Sequence, residues 1–91
     1  MIERALEQTP EQAATLDSMG WVLYKQGHAQ EAIKYLRKAW SARAGAEIGA
    51  HLGEVLWSRG RRDAARGIWE QAEEIAPDNK VLQETRERLQ P

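Results

Sequence analysis

Histidines and carboxylates are the side chains here that could hold a metal or move a proton, and their spacing supports neither. His28 falls in a turn and His51 on a helix, and neither has a second ligand at i+4, the spacing on which helical metal sites rely. Asp17 with Glu47, or Glu47 with Glu54, are conceivable as paired carboxylates for acid–base work. Such a pair needs a closed pocket to separate its proton affinities, and acidic residues on a solvated wall are far commoner. Cysteine is absent, which removes thiolate nucleophiles, thiolate metal ligands and disulfides together. No Ser/His/Asp grouping follows a strand–turn–helix signal. Neither catalysis nor a resident cofactor is expected.

The chemistry that remains is recognition. Phenylalanine is absent, while tryptophan occurs four times. Tryptophan fills cores and is also favoured at interaction hot spots. Trp40 and Trp69 lie at core phase on their helices and read as structural. Arg59, Arg61 and Arg62 bracket Gly60; they read as solvated turn charges, with contact to anionic partner groups as the other reading. The chain carries 13 basic and 14 acidic residues, a net charge of −1. A general polyanion binder needs a basic face, so nucleic acid is not an expected partner. No apolar run approaches the roughly 20 residues of a membrane span, and Met1-Ile2-Glu3-Arg4 does not read as a signal peptide.

The elements that must present these side chains are helices. Residues 1–8 read as a short helix with Ile2, Ala5 and Leu6 on one stripe. Thr9 as cap, Pro10 in the first turn and Gln12 completing a capping box start a helix that runs to about Gln26. Gly27 ends it, since glycine tolerates the left-handed cap. A second helix over 29–43 carries Ala32, Ile33, Leu36, Ala39 and Trp40 on one face, and Gly45 terminates it. Helices near 47–59 and 62–75 follow, separated by Gly60. Gly49 and Gly67 each cost about 1 kcal/mol inside a helix, and close helix approach is the expected reason. The last helix, over 80–90, sets Val81, Leu82, Thr85 and Leu89 along one side, as a solvating end piece requires.

The two middle stretches are copies. Gly20 recurs as Gly53, Gly27 as Gly60, Ala32 as Ala65 and Ala39 as Ala72, a shift of 33 residues. Such a period marks stacked units that bury their apolar faces against their neighbours. The phase is specific. Leu16-x-x-Met19-Gly20-x-x-Leu23, then Ala32-x-x-x-Leu36 and Ala39, resembles the tetratricopeptide repeat. Gly49-x-x-Leu52-Gly53-x-x-Leu56, Ala65-x-x-x-Trp69, Ala72 and Pro77-Asp78-Asn79 repeat it. The resemblance covers residues 13–79. It implies an all-α fold, a right-handed α-solenoid of helix-turn-helix units closed by a C-terminal capping helix. The expected division is a second-helix remnant over 1–9, repeats over 10–45 and 46–79, and the cap over 80–91. The chain thus reads as the C-terminal end of a longer array.

In that family the first helix of each pair lines a concave wall. Carried onto this sequence, the wall includes Ala14, Asp17, Ser18, Trp21, Tyr24 and Lys25, then Glu47, Ala50, His51, Glu54, Trp57 and Ser58. Leu16, Met19, Leu23, Leu52, Val55 and Leu56 belong on the buried side. The resemblance implies a protein-interaction scaffold that binds a partner peptide or protein through Asp17, Trp21, Tyr24, Lys25, His51, Glu54 and Trp57. Trp21 serves either binding or packing against a neighbour. Asp17 and Trp21 are wrong for the clamp with which some members hold a terminal carboxylate. The alternative is self-association through the N-terminal edge, where the flank of 13–26 is covered only by Ile2 and Leu6. The wording is also similar to the last repeats of long bacterial tetratricopeptide proteins, some of them outer-membrane lipoproteins. That likeness implies a periplasmic envelope setting, with the cytoplasm as the alternative.

Overall fold

A computed structural model describes residues 10–90. It contains five helices and, among the described residues, no strand: α1 (Pro10–Lys25), α2 (Ala29–Ala42), α3 (Ala46–Ser58), α4 (Arg62–Ile75) and α5 (Lys80–Leu89). The bounds lie within a residue or so of those expected. The expected helix over 1–8 and the cap at Thr9 lie outside the described residues.

The two hairpin bends use one device. Gly27 (φ 92°) and Gly60 (φ 81°) take the left-handed conformation, which only glycine adopts without a Cβ penalty. Around each, two hydrogen bonds close the helix end. Gly27 N–H donates to Tyr24 O at 3.0 Å and His28 N–H to Leu23 O at 2.8 Å; Gly60 N–H donates to Trp57 O at 3.0 Å and Arg61 N–H to Leu56 O at 2.9 Å. This is the Schellman closure, and it folds α2 back on α1 and α4 back on α3.

Small residues then let the paired helices touch. A Cβ on Gly20 would lie 2.7 Å from Leu36 Cγ, and one on Gly53 only 2.0 Å from Trp69 Nε1. Gly49 has the same role on two sides of α3: its Cβ would meet Ala72 Cβ of α4 at 2.7 Å and Trp40 of α2 at 2.9 Å. Gly67 does not share it. Nothing lies within 4 Å of a Cβ there, so no neighbouring helix explains that glycine.

The core centres on α3, whose Leu52, Val55 and Leu56 are fully buried together with Leu36, Trp69 and Leu82 from α2, α4 and α5. A helix covered on several sides loses its polar stripe, and α3 is accordingly the most apolar element, with eight buried residues. Asn79 starts α5: its side-chain oxygen accepts from Leu82 N–H at 3.0 Å, one orphan donor satisfied.

Two further expectations, on Gly45 and Met19, need correction. Gly45 does not terminate α2, which stops at Ala42 with Arg43 as its cap; Gly45 is instead the extended residue that precedes α3. Met19 was expected on the buried side, yet it is 43% exposed and its neighbour Val22 53%. The equivalent Leu52 and Val55 are buried because α3 is enclosed by elements on both flanks. Among the described elements, α1 packs chiefly on α2, so its far flank stays open.

Candidate partner-binding site

Asp17, Trp21, Tyr24 and Lys25 recur at i, i+4, i+7 and i+8 on α1 and so share one face. The stacking of α3 beside α1 brings His51 to them. The imidazole lies on the Trp21 indole, with ring centroids 4.2 Å apart and planes at 23°. Its Nδ1 donates to Asp17 Oδ1 at 2.9 Å, and both side chains are mostly covered. That bond fixes the ring's orientation, and the ring in turn holds one face of Trp21. Tyr24 packs at 5.2 Å, tilted, against the same indole. Lys25 Nζ stands 5.0 Å from the Trp21 centroid and 5.9 Å from that of Tyr24, within cation–π range of both. Asp17, Trp21, Tyr24, Lys25 and His51 thus form one continuous cluster, with both aromatic rings half-buried rather than sealed in.

The remaining two expected partner-contact residues stand differently. Glu54 is buried, at 7% exposure. Arg88 of α5 grips it with Nη2 at 2.7 Å and Nη1 at 3.4 Å, a two-pronged pair. The hydrogen bond to Glu54, and then its charge, raise the Arg88 pKa above its ordinary value, with a smaller contribution from Tyr24. Glu54 therefore ties the last helix to α3 instead of facing solvent, because α5 lies where a further repeat would stack. Ala50, also expected on the wall, is fully buried in the core. Trp57 tilts against Trp69 at 5.5 Å and lies under Arg62 and Arg66.

Arg88 is the residue that sequence reasoning missed, although a signal for it exists. Asp17 and His51 are 34 residues apart, and so are Glu54 and Arg88. Both pairs join neighbouring helices of the inner layer, so adding the same interval to Glu54 leads to its partner. Trp40 and Trp69 are structural as expected: Trp69 is fully buried, and Trp40 packs against the core. Among the described residues, no three metal-ligating side chains converge and no helix is long and apolar enough to cross a membrane.

Comparison with known proteins gives the same assignment. The family model described as tetratricopeptide repeat matches residues 23–89, from the end of α1 through α5. Over 54 residues, 59% of this chain, the sequence is 45% identical to a TPR repeat-containing protein of Pseudomonas aeruginosa. That stretch is 9% of the relative's length, so the chain spans a small part of it. No solved structure matches. With spacing, helix pairing and family model in agreement over most of its length, the chain belongs to the tetratricopeptide repeat family.

Proposed function

We propose that the chain is a protein-interaction module without catalysis of its own, in which 10–45 and 46–79 act as stacked repeats and 80–91 as their cap. A partner segment lies along the inner layer and contacts Trp21, Tyr24 and Lys25, with Asp17 and His51 holding the indole in place. The observation that carries this reading is the partly buried Trp21 ring, stacked on a His51 imidazole that is itself held by a hydrogen bond to Asp17. A tryptophan held in place by its neighbours and still partly accessible offers contact area at low ordering cost, the property of an interaction anchor. Glu54 and Trp57 leave the proposed contact set, the first being occupied by Arg88. Affinity capture followed by titration of the identified partner tests the idea. Trp21→Ala weakens binding by about 10-fold or more, the ordinary effect of losing an anchor, and leaves the helical circular dichroism intact. A variant that binds normally, or one that loses helicity, removes Trp21 from the partner surface.

A second reading rests on a different observation. Ser18, Met19, Val22, Leu23 and Tyr35 line an open groove of about 390 Å³ on the outer flank of α1. Two large apolar side chains are exposed there, and contiguous apolar surface tends to find a partner. Self-association through this edge predicts a sedimentation coefficient that rises with concentration and stops rising in Met19→Asp/Val22→Asp. A wild-type chain that sediments identically at two well-separated concentrations eliminates this reading and leaves the first untouched.

A further inference from the structure

Charge along α4 runs against the helix that carries it. Arg61 caps the start, Arg62 is the first helical residue and Arg66 lies one turn on; Glu70, Glu73 and Glu74 occupy the second half, and the last turn has no basic residue. Helices are stabilised by anions near the N-terminus and cations near the C-terminus. Asp63 is the one acid of the first turn. The arrangement therefore works against local stability, and such conflicts collect where a surface serves another purpose.

The basic half is also organised. Arg59 caps the end of α3, so four arginines gather around the Gly60 bend. Arg66 donates to Asp63 Oδ1 at 2.9 Å; Arg59, Arg61 and Arg62 have no carboxylate partner among the described residues. The Arg62 guanidinium stands 4.7 Å over the Trp57 centroid and that of Arg66 at 5.6 Å. Trp57 is itself backed by the buried Trp69. A guanidinium held over an indole keeps its N–H edges available and has less freedom to lose on binding.

We propose that the α3–α4 bend, with Trp57 as a platform for Arg62 and Arg66 and with Arg59 and Arg61 beside it, docks a short acidic segment of a partner protein. This surface shares no residue with the Trp21 cluster. Planar guanidinium forks match carboxylates in paired geometry. The size of the patch selects the class of partner. From Arg62 to Arg66 the helix advances only about 6 Å, and beyond that Glu70 and Glu74 repel, while Glu73 is paired with Arg86. A few carboxylates fit in front of that boundary, whereas an extended polyanion such as RNA would run onto it. The net charge of −1 opposes a polyanion for the same reason.

Fluorescence anisotropy of the full chain with a labelled peptide of six Asp and Glu residues, at low salt, tests the proposal. Saturable binding is expected, weakened about 10-fold by Arg62→Gln/Arg66→Gln and unchanged by Trp21→Ala. Arg59→Gln/Arg61→Gln, at two exposed positions in the bend, provides an independent pair should the first variant lose its helical signal. Absence of saturable binding overturns the proposal, as does wild-type affinity in a folded arginine variant. So does an oligonucleotide of equal charge that displaces the peptide more readily than the unlabelled peptide does.

Discussion

Gly53→Ala lowers the melting temperature by about 8–16 °C, the shift that about 2 kcal/mol produces in a domain of this size. The methyl group has nowhere to go. Its carbon would stand 2.0 Å from Trp69 Nε1, 2.5 Å from Cε2 and 2.6 Å from Cδ1, distances no contact between carbon or nitrogen atoms permits. Overpacking of a filled core costs about 1–3 kcal/mol and occasionally more, and the obstacle here is a rigid indole, not the end of a flexible chain. Alanine gains about 1 kcal/mol over glycine in helix propensity, which offsets part of the loss without reversing it. Thermal unfolding followed by circular dichroism reads the result. A melting temperature at or above wild type would mean that α3 and α4 are not in this contact.

The second large effect comes from the other side of the same contact. Trp69→Ala destabilises the chain by about 3–5 kcal/mol, the range for emptying a buried aromatic site. Trp69 is fully buried; it fills the space above Gly53, backs Trp57 and faces the Arg86 guanidinium at 5.9 Å. Small domains have only about 5–15 kcal/mol of total stability, so this one substitution removes a large share of it. The indole Nε1 has no hydrogen-bond partner among the described residues, and an orphaned buried donor costs about 1–3 kcal/mol. Trp69→Phe therefore loses less than Trp69→Ala, because it keeps much of the volume and drops the orphan. Chemical denaturation of the three proteins orders them. The two sites must also couple: Gly53→Ala is expected to cost less in a Trp69→Leu background than in the wild type, as touching residues are not additive. Strict additivity in that cycle would show that the glycine serves some other purpose.

The same contact explains why the fold was legible. Gly20 and Gly53 recur in phase because paired helices can approach only where a side chain is missing, and that requirement is local to each hairpin. Gly27 and Gly60 recur because the bend needs a left-handed residue. Each of these demands acts through a few neighbours in the chain, so residue type and interval carry it directly. The apolar stripes Ala32, Leu36 and Ala39 or Ala65, Trp69 and Ala72 belong to the same class.

The candidate site was legible only where one helix face suffices. Spacing placed Asp17, Trp21, Tyr24 and Lys25 together on α1, and the repeat register added His51. It could not show that Trp57 turns toward Trp69 and two arginines, or that Met19 remains uncovered while its counterpart Leu52 is sealed. Those outcomes depend on which helix stands next to which, and two copies of one motif experience different neighbours when, among the described residues, one is packed on both flanks and the other on one. The order of residues thus specifies the helices, their bends and their points of closest approach, since these arise from short-range sterics and backbone hydrogen bonding. Whether a given side chain is offered to a partner or used up inside the molecule is settled by the packing of whole helices, a long-range property that no single repeat contains.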